Sequence, residues 1–309
     1  MEFNENIRLL ALALTLAVNV HAADAECRLE PGPRRTVARA IDGETLRLDD
    51  GSEVRLAGAL APRGFDAGLQ EVNWPAATSA TQALAAFTEG RNVVLGYTGQ
   101  AKRDRHNRHM AQVFVLEDGK ETWVQGRMLG EGHARAYQQK DQRGCADELL
   151  AHEHVAREAK RGVWAIDAYA TRPAIRTRDL EGMAGKFVVL TGRIAWVAEG
   201  REAIALGFTP THLRAWGLRR GIIVMIENRD RALLGSLGGD AKALDGKAVE
   251  VRGWLEQRLD RPTGTFVLDV SRAGMIVLRA GSATAHADTG TNSAAIPAEI
   301  KSGMPANNP

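Results

Sequence analysis

Hydrophobic and polar positions alternate along the chain from residue 35 to residue 60. Two Asp-Gly pairs, at 42–43 and 50–51, interrupt the alternation with turn signals. Alternation with period two between such turns is typical of antiparallel strands joined by hairpins. The segment is therefore predicted to form three antiparallel strands, whose apolar positions are Val37, Leu46, Leu48, Val54 and Leu56.

Helical spacing replaces the alternation in three later segments. A helix is predicted over residues 74–89 behind Pro75, a short one after Thr122, and a longer one from Ala146 to Arg161, with Gly162 as its stop. Strands are predicted over 93–97 and 110–116. Five short strands with helices inserted late predict a mainly β fold with α-helices, namely a Greek-key barrel of the oligonucleotide-binding (OB) type.

A second alternating region follows a polar stretch. Residues 26–166 are predicted to form the first domain, residues 167–182 a linker, and residues 183–279 a second, smaller OB-like β-barrel with five or six strands. Residues 280–309 consist mostly of small and polar residues without periodicity, which predicts a disordered tail.

The N-terminal residues indicate export. Arg8 precedes an apolar run over 9–18 that is too short to span a bilayer, and small-residue cleavage patterns follow, so residues 1–25 are predicted to be a signal peptide. We expect a periplasmic or secreted protein without a membrane span. In an oxidising compartment Cys27 and Cys145 could form a disulfide that stabilises the fold by about 4 kcal/mol. Two inert thiols are the alternative.

Composition and charge add one local feature. The 40 basic and 38 acidic side chains give a net charge of +2, which provides no general reason for tight, unspecific binding to nucleic acid or membranes. Residues 167–279, however, hold 18 basic and 13 acidic side chains, so the second half is the basic one.

An ordered set of short motifs resembles the thermonuclease (staphylococcal-nuclease-like) domain over residues 35–165. The motifs are Ile41–Thr45, Val54–Leu56 followed by Ala61-Pro62, Asp104–Arg108, Trp123-Val124, Gly132–Arg135 and Glu153–Trp164. The resemblance implies an OB-type barrel. Active members of the family cleave DNA and RNA phosphodiesters with one calcium ion.

The resemblance implies roles for individual residues. Arg55 and Arg108 stand where the family places two arginines against the phosphate oxygens, a task suited to the planar, bidentate guanidinium group. Asp42 and Glu44 stand at the turn that supplies the first calcium ligand, and Glu44 is one methylene longer than the family's acid.

Two further positions of the pattern have lost their acids. Leu60 replaces the second calcium ligand and Arg63 replaces the candidate general base. An added cation repels a dication by a few kcal/mol, and loss of a general base costs about 10² to 10⁴ in rate. Calcium is therefore a doubtful cofactor, and Arg55, Arg63 and Arg108 could instead form an anion cradle without metal. A shifted loop, with Asp66 or Glu71 in the metal site, is the alternative.

The second barrel mixes arginine and tryptophan in a way suited to tracking a phosphate backbone and stacking bases. These residues are Arg193, Arg214, Arg219, Arg220, Arg252 and Arg258, with Trp196, Trp216 and Trp254. Core tryptophans and a solvated arginine face explain the same pattern. The barrel could thus bind single-stranded nucleic acid, another anionic polymer or a protein partner.

Three functions remain open at this point. The leading hypothesis is an exported thermonuclease-like protein that binds nucleic acid or another phosphate polymer with weak or no hydrolysis. The second is an active secreted calcium-dependent nuclease, and the third is an envelope scaffold whose barrels present protein-binding surfaces.

Overall fold

The structure, a computed structural model, describes residues 27–64, 66, 74–99, 101–139, 142, 144–208, 221–257 and 265–279. The predicted signal peptide and the predicted tail lie outside the described residues. The fold class predicted from the sequence, mainly β with inserted helices, is confirmed.

The N-terminal half contains eight strands and three α-helices among its described residues. The strands are β1 (Glu30–Asp42), β2 (Thr45–Leu48), β3 (Glu53–Leu56), β4 (Ala59–Leu60), β5 (Asn92–Tyr97), β6 (His109–Glu117), β7 (Lys120–Trp123) and β8 (Arg135–Ala136). The helices are α1 (Pro75–Thr88), α2 (Val124–Gly130) and α3 (Ala146–Glu158).

Five of these strands close into a barrel. The long strand β1 pairs with β5 through its first half and with β2 through its second half, and β2 pairs with β3. Strand β6 pairs antiparallel with β5 and parallel with β3, which completes the circuit. Inward side chains such as Leu46, Val54 and Leu95 are fully buried because the two-residue period sends them all to one face.

Helix α1 closes one end of the first barrel. Pro75 occupies its first turn, where the missing N–H costs no helical hydrogen bond. Ala80, Leu84 and Phe87 are buried at helical spacing, and their contacts belong to the core of the first barrel. The predicted position of this helix is therefore correct to within about a residue at each end.

The C-terminal half contains a second barrel. Its strands are β9 (Arg172–Pro173), β10 (Phe187–Arg193), β11 (Trp196–Glu199), β12 (Ala203–Gly207), β13 (Gly221–Glu227), β14 (Ala248–Gln257), β15 (Thr265–Asp269) and β16 (Ile276–Leu278).

The second barrel repeats the strand order of the first. Strands β10 and β11 are two halves of one bent strand, since only residues 194–195 separate them. Their partners are β14 and β12, respectively, and β12 pairs with β13. Strand β15 then pairs parallel with β13 and antiparallel with β14, which closes the circuit as β6 does in the first barrel. Between β13 and β14, 3₁₀ turns occupy the place that α1 holds in the first barrel.

The stretch predicted as a linker is folded. It contains the 3₁₀ segments Asp167–Tyr169 and Thr177–Leu180, and β9 within it pairs with β10. The stretch looked like a linker because polar and charged residues are frequent in it, yet Tyr169, Ala174 and Leu180 are buried.

A buried ion cluster joins the two halves. The guanidinium of Arg252 on β14 lies 2.9 Å, Nη2 to Oε1, from the carboxylate of Glu153 on α3 and also pairs with Glu250. Arg157 on α3 contacts Glu250 at 2.8 Å. Burial by itself lowers the pKa of Arg252, but the two carboxylates raise it overall. Each carboxylate thus pairs with an arginine from the other half of the protein, Glu153 with Arg252 and Glu250 with Arg157.

The predicted disulfide is confirmed. Cys27 and Cys145 are bonded, with 4.5 Å between their Cα atoms, and the bond closes a loop that includes most of the first barrel. Within the described ranges no helix is long and apolar enough to cross a membrane.

Candidate functional site

The turn between β1 and β2 positions the first site residue. Asp42 accepts the backbone N–H of Glu44 on its Oδ1 atom at 2.8 Å, which fixes the turn. A Cβ atom at Gly43 would lie 2.7 Å from the Cβ atoms of Ala61 and Ala80, so only glycine fits this close approach. Glu44 is directed inward as a result and is only 6% exposed.

Two arginines converge on the Glu44 carboxylate. Arg55 on β3 and Arg63 in the loop after β4 each donate from Nη2 to Oε1 at 2.8 Å. The second oxygen, Oε2, accepts the backbone N–H of Ala61 at 3.2 Å. The carboxylate predicted as a calcium ligand is therefore surrounded by hydrogen-bond donors, and these three side chains carry a net charge of +1.

Arg108 pairs with a different carboxylate and lies just before strand β6. Parallel pairing of β3 with β6 sets Val54 opposite His109, so Arg108 directly precedes the paired part of β6. Its Nε donates to Asp104 Oδ2 at 2.8 Å. Burial by itself raises the pKa of Asp104, but Arg108 and two backbone N–H groups lower it overall. The motifs of the sequence predicted no role for Asp104, although its place four residues before Arg108 was a signal for this pair.

The two positions where the resemblance implies acids, Leu60 and Arg63, face the second barrel. Leu60 is 2% exposed and lies in an apolar cluster that includes Phe187 and Val189 of β10. The Cζ atom of Arg63 lies 5.9 Å from the ring centroid of Trp254 on β14. Both substitutions therefore contribute contacts between the barrels.

The donor set does not fit a calcium ion. Calcium needs several oxygen ligands at about 2.3–2.6 Å, whereas both Glu44 oxygens already accept N–H groups and two guanidinium groups would repel a dication. Asp66 accepts the backbone N–H of Arg63 and the hydroxyl of Tyr169 on the same oxygen. Glu71 lies outside the described residues. Among the side chains that the structure describes, no three acids, histidines or cysteines cluster as metal ligands would.

The same geometry suits an anion. Arg55 and Arg63 retain N–H groups beyond those donated to Glu44. The Nε atom of Arg55 is buried and has no hydrogen-bond partner within the described part of the chain. A phosphate oxygen would meet guanidinium donors and a positive net charge, the combination that proteins use for charge-assisted phosphate binding.

The second barrel does not present the predicted arginine surface as a whole. Arg252 is 2% exposed and belongs to the buried ion cluster, so its predicted part in an exposed binding face is wrong. Arg193 donates to the backbone oxygen of Gly246. The remaining predicted residues of this surface lie outside the described ranges, namely Arg214, Trp216, Arg219, Arg220 and Arg258.

Tryptophans of the second barrel have different surroundings. Trp196 lies across Gly207, where a Cβ atom would meet the indole at 1.9 Å. Trp254 packs at the junction of the barrels, against Tyr137 of the first barrel and Phe187. Only long-range packing brings Trp254 next to Arg63, so the spacing of residues along the chain provided no signal for that contact.

A comparison with protein families gives a match. The family model described as staphylococcal nuclease homologue matches residues 53–166, which include Arg55, Arg63 and Arg108. The turn with Asp42 and Glu44 precedes the matched segment. A search of curated proteins finds no match to the chain.

Proposed function

Because residues 53–166 form a staphylococcal-nuclease-like domain, we propose that this protein binds single-stranded nucleic acid or a related phosphate polymer with weak or no hydrolysis. The observation that carries the proposal is the cluster of Arg55, Arg63 and Glu44. It retains the family's arginine on β3, adds a second guanidinium and engages the carboxylate that a metal would need.

The charges of the cluster support binding to a phosphate. A guanidinium can hold two phosphate oxygens at once, and Arg63 is 28% exposed, so a ligand can reach it from solvent. Arg108, just before strand β6, is 20% exposed and provides a second contact along a polymer. Binding of this kind is electrostatic and weakens steeply as salt is raised.

The same residues support weak or absent hydrolysis. Hydrolysis of a phosphodiester needs a group that takes a proton from the attacking water. Arg63 stands where the family pattern places the candidate base, and a guanidinium is protonated at all working pH values. The side chain of Leu60 offers no ligand oxygen, and the residue is buried away from solvent.

A binding experiment tests the proposal. We expect a labelled oligodeoxythymidylate to bind the purified protein, with an affinity that falls steeply between low and physiological salt. Arg63→Gln should weaken binding roughly tenfold through the loss of one charge-assisted contact. Arg127→Gln is the matched control, because Arg127 forms a separate ion pair with Glu131 on the surface. Equal affinities for the two variants would contradict the assignment of the phosphate to Arg63.

A digestion experiment separates the remaining functions. Denatured DNA is incubated with the protein in calcium and in chelator. Calcium-dependent digestion that Arg55→Ala abolishes would refute the binding proposal and favour an active nuclease. Neither binding nor digestion would favour a scaffold that presents protein-binding surfaces. Binding without digestion is the expected result.

We also propose that the protein works outside the cytoplasm. The Cys27–Cys145 disulfide supports export, since structural disulfides persist in oxidising compartments. The N-terminal pattern of the sequence, with a basic residue, a short apolar run and small residues after it, is consistent with that location. Fractionation of cells that express the tagged full-length chain tests it, and a cytoplasmic signal alone would contradict it.

A further inference from the structure

The phosphate-binding cluster of the first barrel lies against an aromatic residue of the second barrel. Arg63 donates to Glu44 at 2.8 Å and at the same time lies over the ring of Trp254. A distance of 5.9 Å from guanidinium carbon to ring centroid is within the range of cation–π contacts. One side chain thus links the cation site to an indole ring.

Trp254 packs against two aromatic neighbours. Phe187 meets the indole at an interplanar angle of 70° with ring centroids 5.8 Å apart, and Tyr137 meets it at 87° and 6.2 Å. Such edge-to-face contacts stabilise aromatic clusters beyond simple burial. Trp254 nevertheless keeps part of its surface exposed. An ordered, half-buried indole beside a cation is a suitable surface for a planar ligand.

We propose that Arg63 and Trp254 form a nucleotide subsite that spans the two barrels. The phosphate contacts the guanidinium groups of Arg55 and Arg63, and the base attached to it stacks on the exposed part of Trp254. This inference rests on the proposed function, because it names the ligand of the same cluster. It assigns to the second barrel a direct part in binding.

The chemistry of stacking defines the ligand class. A base can stack on Trp254 only if it has left its neighbours, so the ligand is a single strand and not a duplex. Every base has a π-face, so the subsite should tolerate all four bases. A polymer of phosphates without bases would contact the arginines only.

The experiment compares two ligands of equal charge. The full chain is titrated with an oligodeoxythymidylate and with an abasic oligomer of the same length, at one salt concentration. We expect the oligomer with bases to bind roughly 5- to 150-fold more tightly, the contribution of stacking per base. Equal affinities would overturn the subsite and leave the proposed function intact. If neither of the two oligomers binds, the proposed function is refuted as well.

Variants locate the base. Trp254→Leu should remove most of the difference between the two ligands, and Trp254→Phe should preserve part of it. Trp196→Leu is the control, since Trp196 lies on β11 of the same barrel and packs over Gly207. A preference for bases that survives unchanged in folded Trp254→Leu would overturn the proposal.

A measurement on the unmodified protein guards against a variant that fails to fold. An oligomer that carries 5-iodouracil is bound, irradiated and digested, and the crosslinked residue is identified by mass spectrometry. A crosslink at Trp254 is the expected result. A crosslink confined to another residue would overturn the assignment of the base to Trp254.

Discussion

The substitution Glu44→Gln should make binding of a phosphate polymer stronger while it makes the fold less stable. Glu44 holds Arg55 and Arg63 through one oxygen atom, and it is the carboxylate that a phosphate must compete with at these guanidinium groups. Glutamine keeps the size and one acceptor but removes the negative charge. The net charge of the cluster changes from +1 to +2.

The expected size follows from Coulomb's law. A phosphate that shares the same guanidinium groups would lie about 6 Å from the Glu44 carboxylate, and at an effective dielectric constant of about 20 the repulsion is about 3 kcal/mol. Arg55 and Arg63 are 17% and 28% exposed, so solvent and salt reduce this value to about 1–2 kcal/mol, or roughly 5- to 30-fold in affinity. Loss of the anion between two cations should lower the free energy of unfolding by about 2–3 kcal/mol.

Fluorescence anisotropy with a labelled oligodeoxythymidylate measures the affinity, and urea unfolding measures the stability. The binding measurement is made well below the unfolding midpoint of the variant. Glu131→Gln provides the control, because its partner Arg127 forms an exposed pair whose loss should change either quantity by less than about 1 kcal/mol. An affinity of Glu44→Gln equal to or weaker than that of the wild type would show that the phosphate does not lie at Arg55 and Arg63.

Three further predictions concern the fold. Arg252→Ala leaves buried carboxylates without their cation and should lower the free energy of unfolding, measured with urea, by about 3–5 kcal/mol. Arg279→Ala removes a side chain that is 47% exposed and should lower it by less than about 1 kcal/mol. Similar costs for the two variants would contradict a buried cluster that joins the barrels. Gly162→Ala should destabilise the fold more than Gly119→Ala. Both glycines have positive φ, but a Cβ atom at position 162 would lie 2.1 Å from the backbone oxygen of Gly132, whereas a Cβ atom at position 119 would meet nothing within 4 Å. Equal midpoints of thermal unfolding for the two variants would refute that close approach. The pKa of Glu250 is lowered in the folded state from its ordinary 4.5, so the stability it contributes is present above pH 4.5 and is lost as the pH falls below it. Glu250→Gln should therefore flatten the acid limb of the stability profile, and an unchanged slope would count against the pairing.

The contacts between the barrels give a physical reason for the absence of acids at positions 60 and 63. An acid at the position of Leu60 would be buried in the apolar cluster with Phe187, at a cost of several kcal/mol for an unpaired charge. An acid at the position of Arg63 would lose both the pair with Glu44 and the contact with Trp254. Leu60 and Arg63 are thus suited to the attachment of a second barrel.

Local patterns were sufficient to predict most of the secondary structure. The alternation along β1 to β3, and the helical spacing behind Pro75, depend on which face of each element is buried, and neighbouring residues encode that face directly. The disulfide followed from the presence of two cysteines and an export pattern. The 3₁₀ segments within residues 167–182 were not predicted, because burial of isolated apolar residues such as Tyr169 and Leu180 leaves no periodic pattern in the sequence.

The sequence by itself thus indicated the barrel fold, with Leu60 and Arg63 at positions where the resemblance implies acids. Only the tertiary structure decided which charges meet, because ion pairs form between residues that are far apart in the chain, as with Arg252 and Glu153, 99 positions apart. The contacts of Arg63 were also decided by the tertiary structure, because no local pattern indicates whether an arginine in a loop is solvated or packed against other residues. Its contacts with Glu44 and Trp254 arise from the closure of one barrel and the packing of the other against it.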